Sequence, residues 1–272
     1  MPEIIKKKVI ISDLDGTLLN GSHLISEFTI QAFQQLHSEG YLIIIATGRH
    51  HLDALPIIKN LEIPVYLVSS NGARIHSPQR ELLYAFDLKS DAVKSVLDLN
   101  IDPEITIVLF KELVWQTNKT NEKLNHFQAE MNYVPEIVNF DNLVDLSGIK
   151  LFFSHENHQK LVDLKDLIMS NNASFNYAFS LPICLEFMDK SVDKSVAISK
   201  ILEIENCSYT ETIVFGDGFN DEKMLVSAGT GLIMNNAPVS LKEKLAHLEV
   251  ISSNNQDGVA HYLSQKILEK SR

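Results

Sequence analysis

Only two cysteines, Cys184 and Cys207, occur in 272 residues, far too few for a disulfide framework. In such a chain they are expected as reduced packing residues. No apolar run approaches the roughly 18 residues of a membrane span, and no charged-then-apolar leader opens the sequence. A cytoplasmic location with no membrane partner is the expectation. Basic clusters are scarce as well: Lys6 to Lys8 is one short run in a chain of formal net charge -11. Phosphate backbones are held by arrays of Lys and Arg, so a general nucleic-acid binder is excluded. Low-complexity tracts are missing too, and a 45% hydrophobic, 22% charged composition is that of an ordinary globular protein. The length allows one large or two modest domains.

What is present begins with residues 8–19, KVIISDLDGTLL. An apolar run of strand character ends in two carboxylates one residue apart, Asp13 and Asp15, followed by Gly16 and Thr17. Carboxylates are costly to remove from water unless paired or bound to a metal. SEFTIQAFQQLHSEG then reads as an amphipathic helix with Ile30, Phe33, Leu36 and His37 on one face, Ser26 as N-cap and Gly40 closing it. LIIIATGR and VYLVSSNG are further buried strands with small polar ends. Strand, helix and strand in short order predict a parallel sheet and an α/β fold with a Rossmann-like core.

The last third repeats the pattern. ETIVFGDGFND is a strand entering a Gly-rich acidic loop, followed by a helix from about Asp221 and a short strand near GLIMNNAP. Between them the texture changes: EITIVLF, LVWQTN, IKLFFS and ICLEFM read as strands, NEKLNHFQAEM and HQKLVDLKDLI as helices, without acidic strand ends. This stretch is expected to be an α+β cap, residues 86–188, inserted into a core of residues 1–85 plus 189–272, with hinges near Ala85 and Asp189.

In open α/β sheets ligands bind beyond the carboxyl ends of the strands. DLDGT, TGR, SNGA and GDGFND are therefore expected to converge. Asp13, Asp15 and Asp217 would then share a pocket, which three ionised carboxylates cannot do without a cation. Hard oxygen donors of this kind favour Mg2+ held together with a substrate phosphate. Gly16 and Gly48 permit close backbone approach, Thr47 offers a hydroxyl, and Lys194 at a helix start offers a positive charge. Singly, each has a plainer reading: a turn for Asp13 to Gly16, a solvated charge for Arg49, a calcium loop for GDGFND, a surface lysine like Lys190 or Lys200 for Lys194. The joint pattern carries the inference. His50 and His51 read as solvated loop or substrate-edge residues, and Trp115 as packing.

DLDGTLL, TGR, a Lys before a helix and GDGFND, with SSNGARI between, together resemble the haloacid dehalogenase-like phosphatases of the Cof-like branch, along the whole chain and in the right order. Within that branch ATGRHH, SNGARIH, CLEFM and HLEVI resemble the bacterial pyridoxal phosphate phosphatases. The resemblance implies a Mg2+-dependent phosphomonoesterase acting on a small phosphorylated metabolite, with pyridoxal 5'-phosphate the first candidate and sugar phosphates the second. It casts Asp13 as nucleophile forming an aspartyl-phosphate and Asp15 as general acid and base. It implies metal binding by Asp13, the Asp15 carbonyl and Asp217, phosphate contacts from Leu14, Thr47, Gly48, Lys194 and Asn220, and support of the metal shell by Asp221. Ser195 departs from the glycine that often follows the lysine. A phosphomutase and a catalytically idle phosphometabolite sensor are the alternatives.

Overall fold

The computed structural model describes residues 8–120, 135–171 and 175–268. The chain divides into two compact units, Met1–Ala85 with Asp193–Arg272, and Phe86–Val192. The first pass through the core supplies β1 (Val9–Ser12), β2 (Leu42–Ala46), β3 (Tyr66–Ser69), β4 (Arg74–His76) and β5 (Leu82–Ala85). The inserted unit supplies β6 (Thr106–Phe110), β7 (Trp115–Thr117), β8 (Glu136–Ile137), β9 (Lys150–Ser154), β10 (Phe175–Leu181) and β11 (Cys184–Asp189). The chain returns to the core with β12 (Thr212–Gly216), β13 (Thr230–Met234) and β14 (Glu249–Ile251).

The core sheet runs β14-β13-β12-β1-β2-β3-β4-β5. Its members from β14 to β3 are parallel, and β4 and β5 add an antiparallel edge. The β-branched runs VIIS and LIIIA suit a sheet covered on both faces. Alternate residues point to opposite sides. Ile10, Ile43, Ile45, Leu67 and Phe215 join the cluster reached by α1 (Glu27–Ser38) and α2 (His51–Lys59). Val9, Ile11, Ile44, Val68 and Val214 join the cluster that takes up Ala197, Ile198, Ile201 and Leu202 of the helix Lys194–Ile204. From β1 the chain moves outward through β2 and β3, then returns on the other side of β1 through β12 and β13. The order reverses between β1 and β12, so that is the switch point where a crevice opens.

α1 has its Ser26 cap, whose Oγ accepts from Thr29 N at 3.1 Å, and Gly40 follows it at φ 87. Its buried side is Thr29, Ala32, Phe33 and Leu36, with Ile30 and His37 at the margin. The expected face was thus rotated slightly, with Thr29 and Ala32 buried in place of Ile30 and His37.

The inserted unit has the sheet order β10-β11-β9-β6-β7-β8, antiparallel except for β7 with β8. One face, with Ile107, Leu109, Leu151, Phe153, Leu185 and Phe187, packs with Val93 and Val96 of α3 (Ser90–Leu97) and Leu161, Leu164 and Ile168 of α4 (His158–Asn171). The alternate positions include a buried Lys150–Glu186 pair at 2.9 Å and the Phe110–Trp115 contact. The expected helix NEKLNHFQAEM lies outside the described residues. The unit ends at Val192, beyond the hinge expected at Asp189, because Val192 N donates to Asp189 O and Asn176 Nδ2 donates to Val192 O. Cys184 and Cys207 are free thiols. Among the described residues no helix is long and apolar enough to cross a membrane.

Phe33 is the fully buried anchor of α1. Phe33→Ala is expected to lower the unfolding free energy by about 3–5 kcal/mol. Urea unfolding checks this: the midpoint should fall while the slope stays constant.

Candidate active site at the ends of β1 and β12

Asp13 follows β1 directly, and its N–H extends the sheet by donating to Phe215 O at 3.1 Å. The chain then turns tightly, with Thr17 N and Leu19 N both donating to Leu14 O at 3.2 and 2.8 Å. Gly16 makes the turn possible in two ways. It lies at φ 75, and a Cβ there would overlap the Asp217 carboxylate. Asn236 secures the same loop from β13's far end, donating through Nδ2 to Gly16 O at 2.8 Å.

The helix α5 (Lys194–Ile204) is capped by Asp193, whose Oδ1 accepts from Ser195 N at 2.8 Å and from Ser195 Oγ at 2.6 Å. Ser195, the departure from the family pattern, is therefore used in the cap. The cap fixes the first residue of the helix, and Lys194 reaches inward. Its Nζ donates to Asp13 Oδ1 and to Asp221 Oδ1, both at 2.7 Å, and its side chain is 1% exposed. Burial works against the lysine charge, but the two carboxylates outweigh it and hold the ammonium above its usual range. Lys194 differs from Lys190 and Lys200 by this burial.

Asp221 uses its other oxygen to accept from Asp217 N at 3.1 Å and Gly218 N at 2.9 Å. It thereby shapes the GDGFND loop, and the close packing leaves no room for a side chain at Gly216. Asp217 accepts from Thr17 Oγ1 at 2.7 Å. Carboxylate oxygens of Asp13, Asp217 and Asp221 lie within 4.8 Å of one another. Burial raises the Asp13 carboxyl well above its ordinary value, against the pull of Lys194, and pushes Asp217 up to about 6.

Thr47, at the end of β2, is fully buried, and its hydroxyl oxygen accepts from Arg49 N at 3.1 Å, which leaves its O–H to donate elsewhere. Arg49 itself forms a two-pronged pair with Asp15: Nε to Oδ2 at 2.7 Å and Nη2 to Oδ1 at 2.6 Å. That hydrogen-bonded pairing raises the Arg49 pKa further. Asn220, on the β12 loop, donates through Nδ2 to Asn71 Oδ1 at 3.0 Å. Leu14 is buried beneath the first loop.

Residues 10–263 match the sequence profile of the haloacid dehalogenase-like hydrolases. The chain belongs to that family. An HMP-PP phosphatase of Yersinia pseudotuberculosis is 35% identical over 254 residues, covering 92% of each chain. The solved structure of a protein from Thermotoga maritima superposes with a TM-score of 0.81 at 26% identity, over 95% of this chain and 97% of that one. A haloacid dehalogenase-like hydrolase from Bacteroides thetaiotaomicron superposes with a TM-score of 0.83 at 24% identity, over 96% and 99%.

In this hydrolase three carboxylates lie around one ammonium, an arrangement that, fully ionised, carries two negative charges in excess. The donor set fits a hard divalent cation. Asp221 has both oxygens committed, so Asp13 and Asp217 are the side chains that could hold one, with the Asp15 carbonyl as the remaining expected donor. The Asp15 carboxylate is turned to Arg49.

Three features escaped the sequence reading. Arg49 is an ion-pair partner of Asp15, where a solvated charge was the single-residue expectation. His50 and His51 are buried, at 1% and 5% exposure, and His50 Nδ1 caps α2 by accepting from Leu52 N; the solvated-loop expectation fails because the two residues are the N-cap and first residue of that helix. Asn71 within SNGA and Asn236 within GLIMNNAP carry no assigned role, because an asparagine after a strand by itself spells only a turn.

The raised carboxyls set a sign for pH. A carboxyl whose pKa is higher folded than unfolded favours folding below its ordinary pKa, and that contribution is lost as pH rises through about 6 for Asp217. Divalent cations need the ionised form and so bind more tightly across the same window. Thermal unfolding with and without Mg2+ should give curves that separate progressively above about pH 6. A separation independent of pH would remove these carboxylates as the ligands.

Proposed function

We propose that this hydrolase is a Mg2+-dependent phosphatase of small phosphomonoesters that works through an aspartyl-phosphate on Asp13. The observation that carries this reading is the pairing of roles around the β1 turn: Asp13 buried against Lys194 and beside Asp217, with Asp15 two residues on and turned the other way to Arg49. A binding protein needs the first arrangement but has no use for a second carboxylate held beside it.

Asp13 Oδ2 attacks phosphorus while the bond to the leaving oxygen breaks, and Asp15, in its acid form, gives that oxygen its proton. Asp15, now a carboxylate, takes a proton from water as the water oxygen attacks phosphorus and the bond to Asp13 breaks, releasing inorganic phosphate. Lys194 neutralises charge on the transferring group and keeps Asp13 oriented by its 2.7 Å hydrogen bond. The Thr47 hydroxyl, the amides at Leu14 and Gly48 and the Asn220 carboxamide hold phosphoryl oxygens. Mg2+, when bound, supplies the remaining positive charge for those oxygens. Arg49 holds the Asp15 carboxylate in a two-pronged hydrogen-bonded fork, which must open for Asp15 to reach the leaving oxygen. The inserted unit selects the leaving group.

Release of inorganic phosphate from HMP-PP, pyridoxal 5'-phosphate and sugar monophosphates, with Mg2+ and with chelator, tests the reading. Metal-dependent release supports it, and the ranking of substrates names the physiological class. An isomerised ester in place of free phosphate would make the enzyme a mutase. Asp13→Asn should lower turnover by more than about a thousandfold with the fold intact, as circular dichroism would verify. Asp15→Asn should cost about 10²–10⁴ on alkyl phosphates. In kcat/KM, which reports phosphoryl transfer to Asp13 and not the later water step, it should cost far less on p-nitrophenyl phosphate, whose leaving group needs no proton. Equal losses on both would remove the acid role.

A further inference from the structure

Ser70, Asn71 and Gly72, between β3 and β4, lie at φ 48, 57 and 108, three successive left-handed residues of which only one is glycine. Such a run persists only where its surroundings over-determine it. The surroundings here are three loops of the site. Ser70 N donates to Arg49 O at 2.7 Å and Asn71 N donates to Thr47 O at 3.0 Å, so the carbonyls of the TGR loop are tied down on both sides of Gly48. Gly72 packs against the start of α5: a Cβ there would stand 2.6 Å from Asp193 O, next to Lys194. The Asn71 side chain reaches the third loop, accepting from Asn220 Nδ2 at 3.0 Å while passing so close to Gly48 that a Cβ there would meet its Oδ1 at 3.2 Å.

Asparagine tolerates the left-handed region better than most residues, but glycine would fit it with less strain. The side chain therefore has a use that backbone conformation does not supply. Asn220 is exposed, and Gly218 beneath it offers no side chain to restrain it. One N–H of its carboxamide is committed to Asn71, which fixes the plane of the amide and the direction of the second N–H. Loss of that partner would free the Asn220 amide to turn.

We propose that Asn71 is a positioning residue of the phosphoryl site, acting through Asn220 and holding the β2 loop and the β12 loop in register. This rests on reading the pocket as a phosphoryl site. The signal in the sequence is the polar SNG that follows β3, expected to converge with the other strand ends but given no chemistry of its own.

The test separates side chain from backbone conformation by replacing Asn71 with both glycine and alanine. Inorganic phosphate binding in the presence of Mg2+ is measured by calorimetry, and thermal unfolding alongside. Asn71→Gly and Asn71→Ala should both weaken phosphate binding, by about tenfold for one carboxamide hydrogen bond to the ligand's holder. Only Asn71→Ala should lose thermal stability, since glycine accepts φ 57 and alanine does not. Asn71→Gly combined with Asn220→Ala should bind phosphate no more weakly than Asn220→Ala alone. Phosphate affinity of Asn71→Gly equal to that of the unaltered protein would overturn the proposal, as would penalties that multiply in the double variant. If the unaltered protein itself neither binds inorganic phosphate nor releases it from esters, the phosphoryl-site reading falls and this inference with it.

Discussion

The Lys194 ammonium, buried between Asp13 and Asp221, is the constraint on which the site depends. Asp13 belongs to the first strand of the chain, Asp221 to the loop after β12, and Lys194 to the helix by which the chain re-enters the core. A buried charge is tolerable only when paired and hydrogen-bonded, so the folded state must bring all three segments together or leave an ion stranded. The arrangement is not the most stable way to fill that volume. It is retained where a pocket needs charge held at a fixed place before a ligand arrives.

Around that triad the sheet topology does the positioning. The order reverses between β1 and β12, and the loops that follow those two strands meet there, Gly16 against Asp217. Glycines stand where the loops come closest: Gly16 beside Asp217, Gly48 beside Asn71, Gly216 beside Asp221. The first of these links a residue near the start of the chain to one near the end. The insertion of residues 86–192 as a separate compact unit leaves this convergence undisturbed, because the core sheet closes with strands from both flanks.

Asp13 and Asp15 show how one turn creates two environments. The tight turn after β1 breaks the strand's alternation: Asp13 stays inward, where burial raises its pKa and Lys194 opposes the rise, and Asp15 is left at the surface in the Arg49 fork. Two carboxylates one residue apart thus receive different partners and different chemistry. The same economy appears in GDGFND, where Asp217 faces the pocket and Asp221 turns back to bind the amides of its own loop.

Much of this was legible in the sequence, since local forces act over a few residues and leave local spellings. Apolar β-branched runs ending in Asp, Thr-Gly or Gly-Asp announce buried parallel strands with polar ends, and Ser26 and Gly40 mark the bounds of α1. The order of those motifs carried the family. The edge strands β4 and β5, the strand β10 and the exact close of the inserted unit were not legible, because short antiparallel pieces are set by their neighbours rather than by their own periodicity. Nor were the partners of Arg49, His50 and Asn71. A side chain's spelling states what it can donate or accept; which group stands opposite depends on residues up to some 200 positions away, and only the folded sheet brings those to within 3 Å.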